Sequence, residues 1–507
     1  LASTATYYLG DKTLIPAARD ARIKIFKQIQ DLDFAYHTEK NTGSLISAFK
    51  RGDNAFFEIF HNLMNLFQIG ITFIIMFFFF IDIDLWVTLP LAVILIVNIL
   101  LICRLILINM TRRKEFNNAE DEISAIIIDN LINFETVKYF AKENWERSRL
   151  KNSFVSWTDK LWRFANSFRL MDVSLGTVSN FGILAILFIA LRRLVVGRIT
   201  PGDFILILGF VNNFFPRLFD LFFNLRSLTK RQVDLTRYFQ VLEKPILVKD
   251  PQKPIVFKKV FGEIKFVDVD FSYPGGKEDA ISDFNLTIKP GETVALIGSS
   301  GAGKSTIVKL LMRFYDVDKG KILIDGVDIK LLNKSDLRSI IGIVPQEPVL
   351  FNDTIAYNIG YGLEKQDQVK IAAAAKMANL AEFIDSLPKK YQTRVGERGV
   401  KLSGGQKQRL AIARMILTNP EIIIFDEATS QLDSGSEKLI QESFWLAKKG
   451  KTTIMIAHRL STIRKVDRII VVEGGQIVEE GSHQGLLRRQ DGIYRYLWQL
   501  QTEAHAD

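Results

Sequence analysis

The stretch Thr293-Val294-Ala295-Leu296-Ile297-Gly298-Ser299-Ser300-Gly301-Ala302-Gly303-Lys304-Ser305-Thr306 decides how this chain is read. Its first five residues make a short buried-strand pattern, the glycine-rich run breaks it, and an apolar-periodic helix comes next. This is a P-loop in the strand-loop-helix setting the motif requires. The glycines between Gly298 and Gly303 let backbone N–H groups wrap phosphate oxygens, and the helix N-terminus adds its dipole. Lys304 would neutralise β- and γ-phosphate charge, and the Ser305 hydroxyl can ligate Mg²⁺.

Beyond the loop, the texture from Glu263 onward is mixed α/β. Ile264 to Phe271 alternates with period two, and glycine-bounded turns separate strands from helices. Ile422-Ile423-Ile424-Phe425-Asp426-Glu427 reads as a buried parallel strand ending in two carboxylates. Asp426 there suits water-mediated Mg²⁺ binding, and Glu427 could orient or deprotonate an attacking water. Leu402-Ser403-Gly404-Gly405-Gln406 precedes a helix expected to begin near Lys407 and makes a second anion-binding nest. One P-loop alone would not need it.

Upstream, apolar runs concentrate before residue 225. Spans are expected at about 62–81, 85–103, 173–190 and 204–223, as two helical hairpins, each long enough to cross a hydrocarbon core of about 30 Å. Asp82 to Asp84 parts the first pair, and Leu191 to Asp203 the second. The polar stretches before and between the hairpins carry Arg112, Arg113, Lys114, Arg147, Arg149 and Lys151, which puts them in the cytoplasm by the positive-inside tendency. The net charge of +10 over 507 residues thus has a membrane explanation and needs no nucleic acid. A single Cys excludes a disulfide framework and Cys-rich metal sites, and five His leave little for a His-based cluster. The chain opens at Leu1 with neither an initiating Met nor a signal peptide, so it is expected to begin inside an element, as a fragment. In the last span Asn212, Asn213, Arg217 and Asp220 interrupt an apolar helix, with Arg217 and Asp220 close enough to pair.

The segment Leu402 to Gln406 is where the chain resembles the ATP-binding cassette (ABC) family, and the other motifs match residue by residue. The resemblance implies that Tyr273, in Phe271-Ser272-Tyr273-Pro274, stacks on adenine. It implies that Gln346, in Val344-Pro345-Gln346-Glu347, reaches Mg²⁺ and the attacking water. His458 is similar to the switch His that contacts the γ-phosphate, and Asp433 to the dimer-contact residue, with Gln431 where Ala is usual. Glu397 lies in a segment that resembles one touching the transmembrane helices of exporters. In the family, ATP is sandwiched between the P-loop of one subunit and the Ser403-Gly404-Gly405-Gln406 nest of another, so the resemblance implies a partner, most simply a second copy.

The architecture implied is multidomain. An all-α polytopic transmembrane domain of exporter type (1–242), lacking its first hairpin, leads through a linker (243–262) to an α/β nucleotide-binding domain with a helical subdomain (263–507). Segments 31–41 and 140–146 match the positions of coupling helices. With the first hairpin gone, Asn98 and Asn180 are expected to face lipid. Thr42 to Leu45, Lys50-Arg51-Gly52 and Asn133 to Phe140 resemble the branch of mitochondrial iron–sulfur-related and heavy-metal-tolerance exporters, except that Ser47 stands where that branch carries a second basic residue. The function implied is ATP-driven efflux by alternating access, with ATP and Mg²⁺ as cofactors and a glutathione-derived or metal-related substrate. The implied setting is a prokaryotic inner membrane or the mitochondrial inner membrane, with the cassette on the cytoplasmic side. A lipid or multidrug exporter is the alternative within the class. A soluble cassette ATPase acting on nucleic acid or ribosomes is the alternative outside it, and it predicts no spans.

Overall fold

The apolar runs of the first half lie inside helices far longer than the runs themselves. A computed structural model describes residues 2–39, 42–276, 278–363, 365–396, 399, 401–426, 434–456 and 463–503. The chain divides into two compact units, residues 1–30 with 42–244, and residues 31–41 with 245–507.

In the first unit α1 (Ala2–Asp31) precedes, across α2 (Phe34–Glu39) of the other unit, α3 (Thr42–Ile83), α4 (Leu85–Ile132), α5 (Phe134–Tyr139), α6 (Glu143–Val195) and α7 (Pro201–Gln240). The four long helices have 40 to 53 residues. At about 1.5 Å per residue they reach about 60–80 Å, twice the hydrocarbon thickness, so each continues well beyond a membrane as a polar helix. Among the described residues four helical stretches are long and apolar enough to cross: Gly52–Ile83, Leu85–Leu131, Glu143–Val195 and Pro201–Leu225.

The helices turn where the sequence supplies a cap. Asp84 sits in extended conformation between α3 and α4, and its carboxylate accepts from Trp86 N at 2.7 Å and from Arg193 Nε at 2.7 Å. One side chain therefore caps α4 and fastens the turn to the end of α6. Thr200 and Asp203 form a reciprocal capping box that starts α7, with Pro201 in its first turn. Phe80, Val87, Ile186, Ile207 and Phe214 fill the core, while Phe77, Phe78 and Phe79 point outward. Of the four consecutive Phe residues, only the last packs inward.

Polar side chains gather between α4 and α6. Asn109 Nδ2 donates to Ser167 Oγ at 2.8 Å, and Gly182 lets Ile94 approach. Asn98 is fully buried and donates to Ile94 O at 2.9 Å, contrary to its expected lipid exposure, because this stretch of α4 packs closely on α6, as the approach of Ile94 to Gly182 shows. Asn180, one position along, is exposed. The segment 140–146 is not one short helix. Ala141 adopts φ +49° and breaks the chain after α5, and α6 starts at Glu143, with Glu143 and Glu146 facing its N-terminal dipole.

The second unit holds two sheets. The first is four-stranded and antiparallel, in order β2-β1-β4-β5, with β1 Ile264–Phe271, β2 Ile281–Ile288, β4 Lys319–Ile324 and β5 Val327–Asp328. The second is six-stranded, in order β10-β9-β3-β8-β7-β6. It comprises β3 Thr293–Ile297, β6 Ile341–Val344, β7 Ile422–Asp426, β8 Thr452–Ile456, β9 Arg468–Glu473 and β10 Gln476–Gly481, and only β10 runs antiparallel. Alternation explains the unbroken apolar strands. Val294, Leu296, Ile422, Ile424, Ile470 and Val472 pack toward the small sheet and the helix after the P-loop. Ala295, Ile297, Ile423, Phe425, Ile469 and Val471 pack on the other face, against helices from the region 355–418. A sheet buried on both faces reads as continuous Ile and Val.

Candidate functional site

The parallel strands of the large sheet end together. Leu296 of β3, Ile456 of β8 and Asp426 of β7 form one row across the sheet, and Val344 of β6 pairs with Phe425. The segments leaving these strands therefore emerge at one edge: the P-loop after β3, Asp426 closing β7, and Pro345-Gln346 after β6. With strands about 4.8 Å apart, the P-loop and Asp426 stand about 10 Å apart across the single strand β8. In an open α/β sheet this edge is where ligands bind.

The P-loop geometry arises from its glycines. A Cβ at Gly298 would lie 2.1 Å from Val472 O. Gly303, at φ +103°, caps the helix α8 (Lys304–Leu311) in a left-handed conformation. Lys304 is 6% exposed, and its Nζ donates to Gly298 O at 2.9 Å and Ser299 O at 2.8 Å. The ammonium is thus held on the inner side of the loop. Ser305 is exposed on the first turn of α8, Asp426 is half-buried and Gln346 is exposed. A hydroxyl, a carboxylate and an amide oxygen are hard donors, the set that suits Mg²⁺.

Tyr273 meets the P-loop helix directly, its hydroxyl lying 3.1 Å from Thr306 Oγ1. It belongs to an aromatic group the sequence did not disclose. Tyr315 packs edge-on to it at 5.3 Å, Phe34 stacks on Phe314 with ring centroids 4.6 Å apart, and Lys309 lies 5.5 Å from the Tyr273 ring and 6.0 Å from the Phe34 ring. Phe34 begins α2, so this short helix is anchored beside the expected adenine platform. Asp33 fixes it further by accepting from Leu247 N and Val248 N. The signal in the sequence was faint, amounting to aromatic residues within Asp33-Phe34-Ala35-Tyr36 and Phe314-Tyr315.

Ser403 Oγ accepts from Gln406 N at 3.3 Å, and Gln406 Oε1 accepts from Ser403 N at 2.9 Å. This capping box starts the helix at Gly404 rather than near Lys407, and it leaves the N–H groups of Gly404 and Gly405 among the open donors of the first turn. The helix Gly404–Thr418 is tied to its neighbour by Arg414, whose Nε donates to Asn358 O at 2.8 Å; burial pushes that guanidinium below its usual value.

Glu427, Asp433, His458 and Glu397 lie outside the described residues. In α7, Asn212, Asn213 and Asp220 are exposed and Arg217 is half-buried. Among the described residues no ion pair joins Arg217 to Asp220, contrary to the expected pairing.

Two family profiles match the chain: the ABC transporter transmembrane region over residues 1–218, and the ABC transporter domain over residues 281–430. ATP-binding cassette sub-family B member 6 of Rattus norvegicus is 39% identical over 500 residues, which is 96% of this chain and 58% of the relative. The heavy metal tolerance protein of Schizosaccharomyces pombe is 36% identical, covering 95% of this chain and 58% of that protein. The chain thus spans 58% of the length of these two relatives. The ATM1-type heavy metal exporter of Novosphingobium aromaticivorans is 36% identical over 97% of this chain and 81% of the relative. A solved bacterial Atm1-family ABC exporter with ATP bound superposes with a TM-score of 0.88 at 33% identity, covering 98% of this chain and 88% of that one.

Proposed function

The chain belongs to the ABC transporters, among the Atm1-type exporters of subfamily B, and on that premise we propose that it exports a metal-related or glutathione-derived compound at the expense of ATP. The observation that carries this reading is the gathering of the P-loop, Asp426 and Gln346 on one sheet edge, in a chain whose other unit supplies four helices able to span a membrane.

In this reading Tyr273 stacks on adenine, and Gly298 to Thr306 wrap the phosphates. Lys304 turns from its loop carbonyls to the β- and γ-phosphates. Ser305, Gln346 and Asp426 would hold Mg²⁺, which would offset phosphate charge. Glu427 takes the proton of the attacking water, and His458 contacts the γ-phosphate. Each ATP is closed by the Ser403 to Gln406 nest of a second half-transporter, most simply another copy of this chain, with Asp433 at the contact. Closing two cassettes on two ATP opens the substrate path outward, and hydrolysis resets it.

The names of the relatives point to heavy metals, and the half-buried Arg217 of α7 suits an anionic conjugate. The test is ATP hydrolysis by the chain in liposomes with glutathione disulfide, a metal–glutathione conjugate, lipids and hydrophobic cations. Stimulation by the glutathione compounds, weakened in Arg217→Ala while the basal rate stays nearly intact, is the expected result. Stimulation by lipid or cations alone would replace this substrate class with the lipid or multidrug one.

A further inference from the structure

Gln408 lies one turn into the helix Gly404–Thr418 and is 5% exposed. Its Nε2 donates to two backbone carbonyls at once, Pro345 O at 3.3 Å and Gln346 O at 2.5 Å. The two acceptors settle which end of the amide is nitrogen, because the flipped group would aim oxygen at both carbonyls. Its Oε1 is buried and has no hydrogen-bond partner among the described residues. A buried amide with one end doubly engaged and the other open is an unusual choice for mere filling, since Leu or Met would pack there without an orphaned acceptor.

The placement gives the arrangement a use. One rigid helix carries the Ser403 to Gln406 nest at its tip and, one turn later, the side chain that holds the backbone of Gln346. We propose that Gln408 is a positioning residue that ties the Gln346 loop, serving the ATP on this chain's own P-loop, to the nest, serving the ATP on the partner's P-loop. The inference rests on the composite-site reading above. When the nest closes on the partner's nucleotide, the helix moves and Gln408 carries Gln346 with it. Occupancy of one site thereby sets the water-positioning geometry of the other, and the two sites fire together.

The experiment uses the full chain in liposomes and measures hydrolysis against ATP concentration. Gln408→Met keeps the volume and removes both donated bonds. It should lower kcat at least about tenfold, change KM for ATP less than about twofold, and bring a Hill coefficient above one in the parent down to one. In a Gln346→Ala background it should cause no further loss, because the group it positions is gone. Additive losses in the double variant, turnover of Gln408→Met within about twofold of the parent, or a parent without cooperativity would each overturn the proposal. If Gln408→Met unfolds, Gln408→Glu supplies the same readings, since it keeps the length but places an acceptor against two carbonyls. Ser403→Ala separates this proposal from its premise. Unchanged turnover there sinks the composite site itself, whereas a loss there beside an intact Gln408→Met sinks only the link.

Discussion

The two units bury their polar groups by opposite rules. In the cassette unit both faces of the large sheet are covered with Ile, Val and Phe, and the reactive side chains stand at strand ends where backbone geometry aims them. In the membrane unit Phe77 to Phe79 face outward, and the amides of Asn98 and Asn109 and the hydroxyl of Ser167 are buried where α4 meets α6. The cassette is therefore sensitive to small displacements of backbone. The membrane unit is sensitive instead to the loss of a partner, because lipid offers none in exchange.

Two glycines put this difference to its largest test. An added methyl at Gly298 meets the backbone oxygen of Val472 at 2.1 Å, and nothing there can yield. Gly298→Ala should lower ATP turnover at least about a hundredfold, as displacements of about 1 Å at a reacting centre do. An added methyl at Gly182 meets a side chain and no backbone, Ile94 at Cδ1 2.6 Å, Cγ1 3.0 Å and Cγ2 3.1 Å. Gly182→Ala should cost about 1–3 kcal/mol of stability, read as a shift in thermal unfolding, and leave turnover within a few-fold. Equal losses of turnover in the two variants would break the comparison.

A smaller effect is expected at the turn between α3 and α4. Arg193→Ala strands the Asp84 carboxylate, whose side chain is only 6% exposed, and should cost about 2 kcal/mol, less than for a fully buried pair because Arg193 reaches solvent. Asp84→Asn in that background keeps a capping side chain without the charge and should recover part of the loss. A fully additive cycle, with no recovery, would show that the pair does not hold the turn.

The smallest effect belongs to the end of the cassette unit. His483 Nδ1 lies 2.6 Å from the Tyr494 hydroxyl, and the ring rests 4.5 Å from Trp498. Burial, and after it the charge of Arg464, hold His483 below its usual value. The unfolded chain therefore takes up the proton first, and this contribution to stability is complete above about pH 6.5 and is lost as the pH falls below it. His483→Gln should flatten the acid-side fall in melting temperature. An unchanged slope would assign that fall to carboxylates elsewhere.

The legibility of the sequence divides along the same line. The P-loop, Asp426 and the Ser403 nest were legible because phosphate chemistry demands particular residues in a fixed local order. The apolar runs were legible because bilayer thickness demands length. The path of Asn98 was not, since hydropathy reports how apolar a helix is but not which side a neighbouring helix will cover. The Phe34–Phe314 stack and the bond from Gln408 to Gln346 were not, because each joins segments far apart in the chain, and a lone polar residue on a helix reads as solvated until the fold closes over it. The start of the Gly404–Thr418 helix was misplaced for a local reason: glycines argue against a helix until the Ser403 and Gln406 side chains are seen to close its end together.

The central claim, that hydrolysis at this sheet edge powers movement across the membrane unit, is tested most directly by Glu427→Gln in inside-out vesicles, with ATP hydrolysis and accumulation of labelled glutathione disulfide measured side by side. The substitution keeps the proposed phosphate and Mg²⁺ ligands and removes the proposed base, so ATP should still bind while hydrolysis and accumulation fall together by at least about a hundredfold. Hydrolysis within a few-fold of the parent, or accumulation that continues after hydrolysis has stopped, would contradict the account.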